Sequence, residues 1–178
     1  HQSGTWNVTG IIALAASCEA IKKSGWAEIV IHERALREYL LQRLALIKNI
    51  TLYVSPEQYR NEDRVGAVAF NLKGYNHALL SAILEQEYGI ETRAGTICNH
   101  RLVRRWMGVS DAKQAEIEGQ IKRGNRLASY GIVRASLGVH NTKSDINQLI
   151  RALIAIQKSG PKLSYKPVPR EETYAPSK

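Results

Sequence analysis

The segment RAGTICNH, residues 93–100, places one cysteine between a glycine and a histidine, just past a predicted strand. The chain has only two cysteines, Cys18 and Cys98, and neither has the CxxC or HxxxH spacing of a zinc site, so no metal site is predicted. Such a cysteine is either a small buried hydrophobe or a nucleophile. Cys98 is predicted to lie in a loop with arginines on both sides, and positive charge favours the thiolate that a nucleophile needs. His100 is either a proton carrier or an ordinary surface histidine.

A second candidate for chemistry is Arg134, in the predicted strand segment IVRASL. Strand alternation puts Arg134 on the face opposite to Val133 and Ala135. An arginine among short apolar residues on an inner strand is costly unless an anion meets it. The anion is either an acidic residue of the same chain or a substrate carboxylate, which a guanidinium can bind with two parallel hydrogen bonds.

The elements that must position these residues can be predicted from periodicity and caps. The predicted helices are VTGIIALAASCEAIKKSG, about Trp26 to Lys48, NHALLSAILEQEYG, SDAKQAEIEGQIKRGN, and a last helix that opens with TKSD and continues through INQLIRALIAI. The predicted strands are TLYV (51–54), VGAVAFNL (65–72), IETRAG and IVRASLGV, with a polar loop, SPEQYRNEDR, between the first two. Thr142 and Asp145 are predicted to form a capping box at the last helix. Small residues along the first helix predict close packing against another element. This order predicts an α+β fold, a small, mainly antiparallel sheet covered by helices.

The composition limits the classes of function. Hydrophobic residues make up 44% of the 178 residues and no apolar run approaches the roughly 20 residues of a membrane span, which predicts a globular protein with no membrane partner. The net charge is +9, with arginines concentrated in RLVRRW (101–106) and KRGNR (122–126). Aromatic residues are only 7% and no RNP-type aromatic strand occurs, so the pattern is not typical of an RNA-binding protein. Attraction of anionic small molecules is compatible with it, and the cysteine usage suits a reducing cytoplasm.

The runs GTWNVTGIIALAAS, HERALREYLLQRL, AVAFNL, GIETRAGTICNH and VRASLGVHNTKSDINQL, in this order and spacing, resemble the C-terminal small domain of the class V aminotransferase family. These are fold-type I enzymes that depend on pyridoxal 5'-phosphate (PLP), and the resemblance is greatest to cysteine desulfurases and selenocysteine lyases. It extends from Gly4 to about Ile156. It implies that residues 1–157 form the small domain and that residues 158–178 are an extended or disordered tail.

The resemblance implies a role for each candidate residue. Cys98 stands where the desulfurases carry the cysteine whose thiolate takes sulfur from the substrate and becomes a persulfide. Arg134 stands where the family binds the α-carboxylate of the amino-acid substrate, and Arg93 precedes the cysteine loop as in the family, as a second substrate-binding residue. Gly4 and Thr5 match a Gly-Thr pair that contacts the cofactor phosphate of the partner subunit, which implies a homodimer.

The resemblance also implies that part of the enzyme lies elsewhere. The family's Schiff-base lysine and the residues that hold the pyridine ring belong to a large domain to which nothing in this sequence is similar, so we expect a fragment that is inactive in isolation. The expected activity of the parent is conversion of L-cysteine to L-alanine, with a sulfur-acceptor protein as a possible partner. Two alternatives stay open: a class V aminotransferase or lyase in which Cys98 is incidental, and a noncatalytic binding module with a basic surface.

Overall fold

The computed structural model describes residues 4–61 and 65–177. The helices are α1 (Val8–Lys23), α2 (Trp26–Ala45), α3 (Pro56–Asn61), α4 (His77–Tyr88), α5 (His100–Trp106), α6 (Asp111–Lys122) and α7 (Lys143–Ser159). The strands are β1 (Ile50–Leu52), β2 (Ala67–Leu72), β3 (Arg93–Gly95), β4 (Ile132–Ser136), β5 (Tyr165–Val168) and β6 (Thr173–Pro176). Short 3-10 helices occur at Arg126–Ala128 and Pro169–Glu171.

The main sheet has four strands in the order β1-β2-β4-β3, and each neighbouring pair is antiparallel. The predicted α+β fold with a small antiparallel sheet is therefore confirmed. The predicted polar loop at 55–64 contains α3, and its residues 62–64 lie outside the described residues. The strands β3 and β4, which carry the candidate arginines, are neighbours in the sheet although they are distant in the sequence. Arg93 pairs directly with Arg134.

Two apolar clusters cover the two faces of this sheet. The larger cluster includes Val68, Phe70 and Val133 from the strands, and α2, α4 and α7 contribute most of its other side chains. The smaller cluster contains Ala69 and Ile132 from the opposite face, together with residues of α5 and α6. Alternation along β2 and β4 thus sends one set of side chains into the main core and the other toward α5.

The helix α7 packs its buried side chains into the larger apolar cluster, on one face of the sheet. Its capping box is confirmed: the Thr142 hydroxyl accepts a hydrogen bond from the Ser144 amide (3.2 Å), and the Asp145 carboxylate accepts one from the Thr142 amide (2.7 Å). The buried residues recur at helical spacing along one side, as an amphipathic helix requires. They are Ile146, Leu149, Ile150, Ala152, Leu153 and Ile156.

The helix α1 differs from the expectation of close packing. It begins after Asn7, whose side chain accepts a hydrogen bond from the Gly10 amide (2.9 Å), and it lies against α2. None of its residues is buried, and the apolar side chains of Ile12 and Leu14 are 64% and 65% exposed. Although α1 contacts α2, the small residues of α1 are therefore not buried against another element within the described part of the chain.

The tail expected to be extended or disordered forms a hairpin. β5 and β6 pair antiparallel and lie against α4. The Glu87 carboxylate of α4 accepts hydrogen bonds from the amides of Lys162 and Leu163 (2.9 and 3.0 Å) and from the Tyr165 hydroxyl (3.2 Å). Burial and the charge of Glu87 raise the pKa of Tyr165 to about 12. One carboxylate therefore ties the start of the hairpin to the domain.

We expect Glu87→Ala to loosen the hairpin, because two backbone amides and one hydroxyl lose a charged acceptor. Hydrogen exchange at the amides of Lys162 and Leu163 should accelerate on the order of tenfold or more, since hydrogen bonds to charged groups contribute about 1.5–3 kcal/mol. Glu85→Ala, at an exposed position of the same helix, is the control and should leave these amides unchanged. Equal exchange in both variants would contradict the anchoring role.

Candidate functional site

The two candidate arginines lie side by side on adjacent strands. In the antiparallel ladder Arg93 of β3 is paired with Arg134 of β4, and Ala69 of β2 is paired with Arg134 on its other side. Directly paired residues share one face of a sheet, and like charges in such a position repel each other. A small alanine on one side and a second guanidinium on the other leave Arg134 in a positive environment that suits an anion.

Arg134 has no internal counter-charge among the described residues. Its side chain is half-buried, and its Nε is buried without a hydrogen-bond partner there. Within 4–61 and 65–177 neither Arg134 nor Arg93 forms an ion pair with an acidic side chain, so the alternative of an internal salt bridge is not realised in this region. A buried polar group without a partner is costly and calls for an explanation. A carboxylate, which can accept two parallel hydrogen bonds from a guanidinium, fits this position.

The loop after β3 exposes Cys98 through an unusual backbone. Ile97 and Cys98 have φ angles of 51° and 57°, in the left-handed region that residues other than glycine seldom adopt and that a β-branched residue adopts least of all. Ile97 packs with the smaller apolar cluster, whereas Cys98 is exposed with a free thiol. Strain of this kind costs on the order of 1–3 kcal/mol per residue and concentrates at functional sites. In this loop the left-handed backbone directs the Ile97 side chain toward the smaller apolar cluster and leaves the Cys98 thiol exposed to solvent.

His100 lies at the start of α5 and is not bonded to the thiol. Its Nε2 is 3.3 Å from the Thr96 hydroxyl oxygen, and the helix is capped by Asn99, whose side chain accepts a hydrogen bond from the Leu102 amide (3.3 Å). No hydrogen bond joins His100 to Cys98 among the residues that the structure describes. The geometry therefore assigns His100 to the shape of the loop rather than to a proton relay with Cys98.

The face around the arginines contains polar residues that the sequence analysis did not select. The Asn71 side chain donates to the Tyr53 hydroxyl (2.9 Å) and the Gly131 carbonyl (3.0 Å), and it accepts from the Val133 amide (3.1 Å). Tyr53 stacks on Trp106 of α5 with ring centroids 5.5 Å apart, and its burial raises the pKa of Tyr53. In the sequence, the one sign of this role is that Asn71 is the single polar residue in the strand segment AVAFNL. Asn71 extends the β2–β4 ladder past its last regular pair and joins it to α5.

Behind the cysteine loop, two glycines and a buried histidine are in close contact. A Cβ on Gly131 would lie 2.6 Å from the Cα of Gly95 and 2.7 Å from the ring of His77, so only glycine fits there. His77 is buried, and its Nε2 donates to the Ser129 carbonyl (3.2 Å), whereas its Nδ1 has no partner in the described ranges. Burial lowers the pKa of His77, which favours the neutral ring. This contact fixes where β3 ends and the cysteine loop begins.

Gly4 and Thr5 precede α1 and are not part of the main sheet. They are exposed and immediately precede α1, which lies against α2, and α2 packs on the opposite face of the sheet. Gly4 has a φ of 105°, and the Thr5 side chain forms no hydrogen bond within the described residues. The structure therefore joins Arg93, Arg134 and the Cys98 loop at the β3 edge of the sheet, whereas Gly4 and Thr5 precede a helix outside that sheet.

Among the described residues no group of three or more His, Cys, Asp and Glu side chains is placed to hold a metal ion. No helix in the same part of the chain is both long and apolar enough to cross a membrane.

A sequence model of the Aminotransferase class-V family matches residues 1–149. A cysteine desulfurase of Yersinia pseudotuberculosis is 30% identical over 160 residues, and one of Salmonella newport is 32% identical over 157 residues. Each match covers 88% of this chain and 32% of the relative, so the chain spans about a third of the length of the curated relatives it matches.

Two solved structures share the fold. The cysteine desulfurase CsdA (S-sulfonic acid) from Escherichia coli has a TM-score of 0.64 at 26% identity, over 85% of this chain and 31% of that one. The apo cysteine desulfurase from Thermococcus onnurineus NA1 has a TM-score of 0.68 at 22% identity, over 87% of this chain and 32% of that one.

We expect Gly131→Ala to destabilise the domain by about 1–3 kcal/mol, because the new Cβ must displace the Gly95 backbone or the His77 ring. Gly119→Ala, in the interior of α6, is the control: its Cβ would meet only the end of a flexible arginine at 3.6 Å, and it should stabilise by about 0.5–1 kcal/mol. Denaturant unfolding measures both. If Gly131→Ala left the free energy of unfolding unchanged, the contact between β3 and β4 would have room for an added Cβ, contrary to this expectation.

The lowered pKa of His77 predicts a dependence of stability on pH. Below the usual histidine pKa of about 6.5 the unfolded chain binds a proton that the folded His77 resists, so the free energy of unfolding should fall as pH decreases through about 6.5. Above that range the effect vanishes. His77→Gln should lose part of this dependence, whereas His140→Gln, at an exposed histidine, should retain the wild-type dependence in unfolding titrations. Identical pH profiles for His77→Gln and the wild type would contradict the assignment.

Proposed function

This chain belongs to the class V aminotransferase family, and we propose that it is the C-terminal small domain of a cysteine desulfurase. Residues 1–157 would form that domain, with 158–178 as its C-terminal hairpin segment. The parent enzyme would convert L-cysteine to L-alanine and leave the sulfur as a persulfide on Cys98. The matched relatives are cysteine desulfurases, and enzymes of this class depend on PLP.

The observation that carries the proposal is the unpartnered Nε of Arg134, on a strand whose register places Arg93 beside it and whose neighbour leads into the Cys98 loop. Arg134 binds the α-carboxylate of the amino-acid substrate through parallel hydrogen bonds. Arg93 adds positive charge at the same face and strengthens the attraction for the carboxylate. Binding at one end fixes the orientation of the substrate, so that its sulfur can be directed toward the cysteine loop.

Cys98 acts as the sulfur acceptor. Its thiolate attacks the sulfur of the substrate, a new S–S bond forms, and the C–S bond breaks with its electron pair left on carbon. A proton then completes alanine, so no external oxidant or reductant is needed. The left-handed backbone at Ile97 and Cys98 presents the thiol on the surface of the domain, where it is free to reach a substrate held by the rest of the enzyme.

PLP bound in the parent enzyme would supply the electron sink that makes the C–S bond breakable. Gly4 and Thr5 fit one part of that group: Gly4 has an open backbone with room for a phosphate oxygen, and the Thr5 hydroxyl is exposed without an internal partner in the described chain. Hydroxyl and amide donors near the start of α1 suit an anion. We place the lysine anchor and the residues around the ring outside this chain, and the isolated chain is expected to be inactive.

The position of Gly4 and Thr5 supports a homodimeric parent. They are exposed and precede α1, outside the sheet that carries Arg134, and we infer that the phosphate that they contact belongs to the active site of the partner subunit. The exposed apolar side chains of α1 are available for such an assembly. Both cysteines are free thiols, which suits an enzyme of the reducing cytoplasm.

The test uses the full-length parent enzyme loaded with PLP, with L-cysteine as substrate. Cys98→Ala should abolish alanine formation above background, because the sulfur has no acceptor. Arg134→Ala should raise KM for L-cysteine about 10- to 100-fold, since charge-assisted hydrogen bonds to the carboxylate are lost. Alanine and sulfide are measured by chromatography and by methylene-blue formation.

Matched controls are Cys18→Ala on α1 and Arg151→Ala on α7, both at exposed positions. They should retain wild-type rates. Full activity of Cys98→Ala would remove the desulfurase assignment. If Arg134→Ala alone is impaired and another amino acid is consumed with an α-keto acid, the parent is a class V aminotransferase with an incidental cysteine.

A further inference from the structure

A groove lined by arginines lies on α5, immediately after the cysteine loop. Arg101, Arg104 and Arg105 are spaced at i, i+3 and i+4, so they project from one side of the helix. With Gly108 and Val109 they line a surface groove of about 290 Å³. We call this surface the arginine groove. The arginines of RLVRRW line this groove, and none of them has a role in the proposed reaction.

Most of the positive charge in the arginine groove is not neutralised locally. Arg104 is held by an ion pair with Asp111. Arg101 and Arg105 are exposed, and their side chains have no hydrogen-bond or ion-pair partner in the described ranges. Residues 92–110 contain four arginines and no acidic residue. Two free guanidinium groups therefore face solvent beside one that is fixed in place.

The surroundings of the arginine groove favour a protein as the ligand. Leu102 and Met107 of the same segment are 37% and 38% exposed, and arginine and methionine beside apolar residues are typical of protein–protein interfaces. A single-stranded nucleic acid would require aromatic side chains for base stacking. The nearby Trp106 is half-buried and stacked on Tyr53 instead. A partner with a carboxylate-rich surface complements such a groove.

The arginine groove lies close to the thiol. Arg101 is the third residue after Cys98, so their Cα atoms are at most about 11 Å apart. Arg105 follows one helical turn later, about 6 Å further along the axis. A protein docked in this groove could therefore place one of its own side chains at Cys98.

We propose that the arginine groove docks an acidic protein that receives the sulfur from Cys98. This inference rests on the proposed desulfurase function. The thiolate of the acceptor attacks the outer sulfur of the Cys98 persulfide, a new S–S bond forms on the acceptor, and Cys98 leaves as a thiolate. Atoms and electrons balance without a further reagent. The positive charge of the arginine groove raises the rate of encounter with an acidic acceptor and disfavours acceptors with a positively charged surface.

The experiment uses the PLP-loaded parent enzyme and three synthetic peptides of equal length, each with one cysteine: glutamate-rich, lysine-rich and uncharged. The enzyme is charged with sulfur-labelled L-cysteine, and transfer of label to the peptide is normalised to the persulfide present on Cys98. At low salt the glutamate-rich peptide should accept sulfur about tenfold or more faster than the uncharged one, and added salt should reduce the difference. The paired substitution Arg101→Glu with Arg105→Glu should remove this preference.

The matched control is Arg151→Glu with Lys158→Glu, which reverses two exposed charges on α7, on the opposite side of the sheet. It should retain the preference. Direct binding of fluorescent peptides to the Cys98→Ser enzyme, by anisotropy, separates docking from chemistry. If no persulfide forms but the glutamate-rich peptide still binds and Arg101→Glu with Arg105→Glu abolishes the binding, the proposed reaction fails and the acidic docking surface stands.

Two outcomes would overturn the inference. Equal transfer to all three peptides, together with equal binding to wild type and the Arg101→Glu, Arg105→Glu variant, would show that the groove selects no acidic partner. Tighter, salt-sensitive binding of a short oligouridylate than of the glutamate-rich peptide, lost in the same variant, would make the groove a nucleic-acid surface instead.

Discussion

The close approach of β3 to β4 is the constraint on which the candidate site depends. Gly131 has no room for a side chain, and this absence lets the Gly95 backbone and the His77 ring approach the start of β4. The resulting register pairs Arg93 with Arg134 and ends β3 at Gly95. The cysteine loop then starts at a position set by backbone contact. The position of the cysteine loop therefore depends on the lack of a Cβ atom at Gly131.

The main core allows the opposite face to contain unfavourable features. Helices α2, α4 and α7 bury a large apolar layer against one side of the sheet, which supplies most of the stabilisation. The other side carries two adjacent arginines, an unpartnered Nε on Arg134, and two consecutive left-handed residues at Ile97 and Cys98. Each of these costs free energy in the isolated domain. Their concentration at one edge is what distinguishes a binding surface from a second core.

The same chain has surfaces that its own elements leave uncovered. The apolar side chains of α1 are exposed, and the arginines of α5 point into solvent. The relatives it matches are about three times as long. Under the proposed function, α1 contributes to an assembly contact and α5 docks an exchanging partner. The contrast in chemistry supports that division, because apolar faces suit permanent contacts and charged ones suit transient encounters.

Local sequence determined the elements and the residue types. Helical periodicity and the Thr142–Asp145 capping box located α7, and alternation placed Arg134 opposite to Val133. Motif order identified the family, whose sequence model matches residues 1–149. These signals are short-range, because each depends on neighbours within a few turns or on the spacing of β-strands.

Tertiary structure decided the contacts that join distant segments. Nothing within RAGTICNH specifies that Arg93 pairs with Arg134, and nothing in the tail sequence specifies that Glu87 holds a hairpin at Lys162 and Tyr165. The roles of His77 and Asn71 likewise arise from partners more than 50 residues away in the chain. Long-range register depends on how the whole core packs, and a polar residue reveals its partner only after that packing brings the two together.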